Sequence, residues 1–218
     1  MQLTKVPFAD TKSFSPFFLD YIQQKESLKP FYHRFPSLSG VREQLNEKSK
    51  TFTATQRATL LDVLQQQYQG VVAMKAVQDN IQSLAKATTF TVTTGHQLNV
   101  FTGPLYFIYK IVTVINTCRQ LQAAYPEYTF VPVYWMASED HDYDEIKYFR
   151  LYGKKYTWHT NQKGAVGRFS LNDFQSLLQE VPGDISVFRE AYNKSKTLSE
   201  AVRHYINTLF GTDGLVVV

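Results

Sequence analysis

The sequence predicts an α/β fold with a parallel sheet at its centre, and three stretches carry that prediction. Residues 89–93 are β-branched and aromatic, the composition of a strand, and residues 130–136 repeat the pattern with Val131, Val133 and Trp135. Between them Leu105, Ile108, Val112, Ile115 and Cys118 recur at helical spacing and mark a buried stripe. Strand, helix, strand, with a helix long enough to cross over, is a right-handed βαβ unit whose strands run parallel. The third stretch, Leu215 to Val218, is apolar throughout, which suits a strand covered on both faces. Such a strand belongs inside a sheet, so the chain is expected to be the first part of a longer protein whose remaining strands follow Val218.

The other elements follow in order. The first fifty residues are rich in Phe and Tyr and punctuated by Pro16, Pro30 and Pro36, and are expected to wrap the core as short helices and turns. From Thr55 onward Arg57, Leu60, Leu61, Leu64 and Tyr68 share one helical face as far as Gly70, and Met74, Val77, Ile81 and Leu84 continue the period as a second helix. Pro104 suits the first turn of the crossover helix, where its missing N–H would be unpaired in any case. That helix should stop near Tyr125-Pro126. Residues 149–160 alternate around Gly153 as a hairpin, and helices are expected over 171–180 and from 184 to 210, the latter with Leu198, Val202, Tyr205 and Leu209 in register. The expected organisation is an N-terminal wrap and first half of the core over 1–148, an inserted segment over 149–183, and a helix and strand returning to the core over 184–218.

Composition narrows the function classes. A chain of 218 residues that is 44% hydrophobic and 15% aromatic can bury a substantial core. Its 23 basic and 19 acidic residues are spread along the sequence without a dense basic run to track a nucleic-acid backbone, so no nucleic-acid partner is expected. Cys118 stands alone, which excludes an internal disulfide and a cysteine-rich zinc site and suits a reducing cytoplasm. Its place on an apolar helical face marks it as a packing residue. The N-terminus lacks the apolar segment of a signal peptide and no 18-residue apolar run occurs, so neither secretion nor a membrane span is expected.

Two polar loops carry the chemistry. In the first, Thr94, Gly95, His96, Gln97, Asn99, Thr102 and Gly103 offer donors and small side chains where a strand turns into a helix, and the free N–H groups and dipole of a helix start attract phosphate or carboxylate. Tyr106 and Lys110 lie one and two turns into the helix, and Lys110 leans back toward a bound anion. Neither GxGxxG nor a Walker A pattern is present, so a plainer reading stands beside this one: Thr102 as a cap, Gly103 as a turn residue, Lys110 as a solvated charge. In the second loop Ser138 is followed by Glu139, Asp140 and His141, and a histidine flanked by carboxylates suits a general base or a charge-stabilising group. Asp142 and Glu145 have the spacing of a reciprocal helix cap. Metal ligation is not expected, because adjacent positions rarely converge on one ion. His33, His159 and His204 stand alone and suit packing or surface roles.

Together, TTGHQLNVFTGPLYFIYKI and PVYWMASEDHDYDEI resemble the two signature segments of the bacillithiol biosynthesis cysteine-adding enzymes, the BshC family, and the resemblance covers the whole chain. Two positions depart from the family pattern: His96 stands where a glutamine is frequent, and Thr102 where a glycine is. The resemblance implies a Rossmann-like core similar to class I aminoacyl-tRNA synthetases, connecting-peptide insertions, and a C-terminal coiled coil with a homodimer interface. It implies amide formation between L-cysteine and glucosaminyl malate, and a free carboxylate needs activation, so ATP or ADP is a candidate cosubstrate that stays open. The first loop with Lys110 and Tyr106 would hold anionic groups, and Asp140 or His141 would orient or deprotonate the attacking amine, with Glu139 and His96 as further catalytic candidates. The part in hand is expected to be inactive alone. Two other readings are a non-catalytic nucleotide or sugar-acid binding module and a nucleotidyltransferase acting on another substrate.

Overall fold

The computed structural model describes residues 4–218. The chain divides into two compact units, one ending at Thr51 and the other spanning Phe52–Val218. In the first, α1 (Pro16–Ile22) starts where the Ser15 hydroxyl accepts the Phe18 amide at 3.2 Å and Pro16 occupies the first turn, and α2 is Leu38–Thr51. Few side chains are buried here, Leu28 and Leu45 among them. Aromatic clusters supply the cohesion, with Phe8, Phe14 and Phe18 within 5.4 Å of one another.

The second unit begins with α3 (Ala54–Gln67) and α4 (Lys75–Ser83). A reciprocal cap starts α3: Thr53 accepts from the Gln56 amide, and the Gln56 side chain accepts from the Thr53 amide at 2.8 Å. Arg57, expected on the apolar face, is buried and donates to the carbonyls of Leu84, Thr89 and Ala87, tying α3 to the turn that leads into the sheet. The sheet follows. Strand β1 (Thr89–Gln97) runs into α5 (Leu105–Ala124), which crosses to β2 (Thr129–Ala137), and β1 and β2 pair parallel in register from Thr89 opposite Thr129 to Gln97 opposite Ala137. The short helix α6 (Tyr143–Ile146) leads to a hairpin of β3 (Tyr148–Leu151) and β4 (Lys154–Thr157), whose two turn residues, Tyr152 and Gly153, both have positive φ, as a two-residue turn of this hand requires. Helices α7 (Gln175–Glu180), α8 (Ser186–Lys194) and α9 (Leu198–Phe210) then lead to β5 (Val216–Val217), which pairs parallel with β2. The order is β1-β2-β5, with β2 in the middle.

Alternation along the strands sends side chains to two covered faces. Tyr134, Met136 and Val217 join Phe107, Ile111 and Ile115 of α5 and Tyr205 and Ile206 of α9. Val131, Val133 and Val216 join Leu64 of α3 and Val77 and Ile81 of α4. Helices on both faces explain why Leu215, Val216 and Val217 are all but fully buried.

Four sequence expectations change in detail. First, β1 runs on to Gln97, so Thr94, Gly95, His96 and Gln97 are strand residues and the connecting loop is 98–104. Pairing along all nine residues of β2 overrides the weak strand preference of TTGHQ. Second, Pro104 is the N-cap of α5, one position before the helix. Third, the buried stripe of α5 is Phe107, Ile111, Val114, Ile115, Cys118 and Leu121; Leu105 is 65% exposed and Val112 is exposed, because the first turns of α5 are apolar all round and spacing alone does not choose the face. Fourth, the helix expected over 184–210 is two helices. Thr197 is extended, its hydroxyl caps α9 by accepting from the Glu200 amide, and the Glu200 carboxylate accepts from the Lys196 amide at 2.7 Å.

Candidate functional site

The in-register pairing brings the carboxyl ends of β1 and β2 level, with His96 opposite Met136 and Gln97 opposite Ala137. The two polar loops therefore leave the same rim side by side. Three hydrogen bonds bind that rim together. The Tyr134 hydroxyl donates to the His96 carbonyl at 3.1 Å, Gln97 Nε2 donates to Glu145 Oε2 at 2.8 Å, and Lys110 Nζ donates to the Gly95 carbonyl at 2.6 Å. Lys110 thus reaches back along α5, as its helical position dictates, and meets the strand end.

The first loop is pinned from within. Leu98 and Val100 are buried, Asn99 Nδ2 donates to the Gln97 carbonyl at 3.2 Å, and the Gly103 amide donates to the Val100 carbonyl at 3.3 Å. Gly103 has φ of 60°, and a Cβ there would stand 2.6 Å from Asn99 Cγ, so the turn demands glycine twice over. Thr102 is not the helix cap; Pro104 is, and no side chain caps the start of α5. The His96 ring lies 5.3 Å from the ring of Tyr106 and 5.2 Å from that of Phe107. Its Nε2 is buried without a hydrogen-bond partner, and burial first, then the neighbouring Lys110 charge, lowers its pKa. The imidazole is held neutral.

The second loop is built from its own backbone. The Ser138 carbonyl accepts from the Gly167 amide at 3.1 Å and the Asp140 carbonyl from the Val166 amide at 2.7 Å, so the segment around Gly167 backs the loop. A Cβ on Gly167 would come within 2.6 Å of the Ser138 carbonyl oxygen. Asp140 Oδ1 accepts from the Asp142 amide at 2.9 Å, which folds the loop and leaves Glu139 and His141 exposed and Asp140 half-buried. Half of the expected reciprocal cap is present: Asp142 accepts from the Glu145 amide at 3.4 Å, whereas the Glu145 carboxylate turns to Gln97 instead. Among the described residues no group of three or more His, Cys, Asp or Glu side chains is arranged to hold a metal ion. Burial pushes the Cys118 thiol up to about 12, so it stays protonated inside α5.

The spacing of single motifs did not reveal a groove of about 450 Å³ on the α3 side of the sheet, where Thr93, Val133, Trp135 and Val216 face Leu60 and Leu64 and Ser138 and Glu139 stand at its edge. Trp135 is 55% exposed there although it belongs to the central strand. The signal was its alternation with Val131 and Val133, which places it on the α3 and α4 face.

A parallel sheet with helices on both faces and polar loops at the carboxyl ends of its strands defines a Rossmann-like α/β domain. The sequence matches the family model described as bacillithiol biosynthesis BshC, N-terminal Rossmann-like domain, over residues 1–218, and the chain belongs to that family. Proteins named "Putative cysteine ligase BshC" from Christiangramia forsetii, Flavobacterium psychrophilum and Cytophaga hutchinsonii are 41%, 43% and 41% identical to it over 98%, 94% and 98% of this chain. The alignments take in 42%, 41% and 41% of those relatives, so the chain spans less than half of their length.

Proposed function

We propose that this chain is the substrate-binding N-terminal part of a ligase that joins the carboxylate of L-cysteine to the amine of glucosaminyl malate in bacillithiol biosynthesis. The observation that carries the reading is the shared rim: loops 98–104 and 138–142 leave adjacent strand ends, and the residue before the first loop, Gln97, is hydrogen-bonded to Glu145 of the helix that follows the second. The start of α5, which no side chain caps, turns its positive dipole end to the rim and takes an anionic group such as a malate carboxylate or a phosphate. Tyr106 is exposed beside it and Lys110 supplies positive charge. His96, a weakened proton acceptor because its pKa is lowered, supports the rim by packing against Tyr106 and Phe107 and leaves the role of base to the second loop.

Amide formation needs the cysteine carboxylate activated and the attacking nitrogen deprotonated. Asp140 or His141, on the solvent side of the second loop, receives that proton, and Glu139 and Ser138 orient the substrate beside them. ATP or ADP is the cosubstrate class we would test for activation. The experiment is product formation from L-cysteine and glucosaminyl malate by the full-length protein, with cysteine-dependent nucleotide consumption followed in parallel. His141→Ala or Asp140→Ala is expected to lower turnover about 10²–10⁴-fold for whichever residue is the base. Unchanged turnover in both variants removes the second loop from the chemistry, and binding without turnover in the wild type favours a non-catalytic binding module.

A further inference from the structure

Phe101 occupies the middle of the first loop with φ of 57°, the left-handed region in which a residue bearing a Cβ is disfavoured. Such a conformation persists only where the surroundings impose it, and here two helices outside the rim, α8 and α9, supply the hydrogen bonds to it. The Phe101 amide donates to the hydroxyl oxygen of Tyr192, in α8, at 2.7 Å. The Phe101 carbonyl accepts from the hydroxyl of Tyr205, in α9, which also lies 3.5 Å from the Asn99 carbonyl. The Phe101 ring is caged by Phe149, Phe188 and Tyr192, with centroids 4.9, 5.0 and 5.6 Å away.

Both tyrosines are 1% exposed. Burying a phenol hydroxyl is costly unless it is hydrogen-bonded, and phenylalanine would fill the same volume without that cost. Yet both hydroxyls are present, and both are directed at the backbone of one residue 91 and 104 positions earlier in the chain. Burial raises the pKa of each, so both remain neutral phenols able to keep these bonds. Packing alone does not account for a matched donor and acceptor converging on the amide and the carbonyl of the same strained residue.

We propose that Tyr192 and Tyr205 are positioning residues, a two-point clamp that locks Phe101 in its left-handed conformation and so holds loop 98–104, with Asn99, Thr102 and the start of α5, in the shape that receives the anionic part of the substrate. The inference rests on reading that loop as the substrate loop. Helices α8 and α9 then set the affinity of the rim from behind it, without touching the substrate.

The test is Tyr192→Phe combined with Tyr205→Phe in the full-length protein, which removes two hydroxyls and keeps both rings. Amides of residues 98–103 are expected to exchange with solvent at least about tenfold faster, with the amides of β2 unchanged. KM for glucosaminyl malate is expected to rise about tenfold with kcat within about twofold, the split expected when binding geometry rather than chemistry is lost. Unchanged loop exchange overturns the clamp. Faster loop exchange with unchanged KM also overturns it, because the loop would then be loosened without consequence for the substrate. Should the double variant not fold, Tyr205→Phe alone keeps the Tyr192 contact and carries the same two readouts, with about threefold changes expected. The exchange measurement contains no substrate, so it still decides whether the hydroxyls hold the loop if the wild type makes no product and the proposed reaction fails.

Discussion

The two loops of the rim begin at neighbouring strand ends and are held in opposite ways. Loop 98–104 is anchored inward: Leu98 and Val100 are buried, Phe101 is gripped by two core tyrosines, and Gly103 sits against Asn99. Loop 138–142 is backed through its backbone carbonyls by Val166 and Gly167, is folded by the Asp140 carboxylate, and turns Glu139 and His141 toward solvent. One loop is a shaped holder and the other presents ionisable groups, a division that suits binding on one side and proton transfer on the other. If the division is real, disturbing the first loop should change affinity and disturbing the second should change turnover.

The largest structural effects are expected at the two glycines. Gly167→Ala places a Cβ, fixed in direction by its Cα, against the Ser138 carbonyl, a backbone group that cannot swing aside. A loss of about 1–3 kcal/mol, the usual range for overpacking, should appear in denaturant unfolding, with kcat falling further than KM changes because the second loop has moved. Gly103→Ala meets both the left-handed penalty of about 1–2 kcal/mol and the Asn99 side chain. Its kinetic signature should be the reverse, with KM raised and kcat nearly kept. Identical signatures for the two variants would erase the distinction between the loops.

His96 gives a pH-dependent form of the same comparison. Its folded pKa lies below the ordinary 6.5, first because of burial and second because of Lys110. The unfolded chain therefore takes up a proton on this residue at a pH where the folded chain does not. The stability it supports is complete above about pH 6.5, declines as pH falls below that value, and is fully lost below the folded pKa. His96→Gln removes the titration, so the wild type should lose more thermal stability than the variant between pH 8 and pH 5. Parallel curves would mean that the imidazole is protonated equally in both states and that its buried Nε2 is not the constraint described.

How much of this was readable in advance depended on how local the determinants were. The parallel β1-α5-β2 unit was legible because β-branched runs and a long apolar helix each declare themselves within a dozen residues, and the burial of residues 215–217 was legible from an unbroken apolar run. The face of α5 was not, since LYFIYKIVTVI offers apolar residues on every side. The break before α9 was legible after the fact, in Thr197 followed three residues later by Glu200, but the apolar register of Leu198, Val202 and Tyr205 masked it. In the site, the sequence placed the two loops correctly at neighbouring strand ends. It did not reveal the partner of Glu145, which lies 48 residues away, or the hold on Phe101, whose partners lie 91 and 104 residues away, because only tertiary packing joins them.

The smallest expected effect is at a side-chain bridge between the segments that flank the loops. Gln97 and Glu145 meet near the surface, where a charge-assisted hydrogen bond competes with water, so Gln97→Ala and Glu145→Ala should each change stability little and a double-mutant cycle should return a coupling below about 1 kcal/mol. The informative quantity is the kinetic coupling. If the rim acts as a unit, with a holder and a proton acceptor that must keep register, cutting this bridge should lower kcat/KM several-fold in either single variant and no further in the double. Independent, multiplying losses would mean that each loop is positioned wholly by its own anchors, the first by the tyrosine clamp and the second by Gly167, and that the bridge follows from their proximity without causing it.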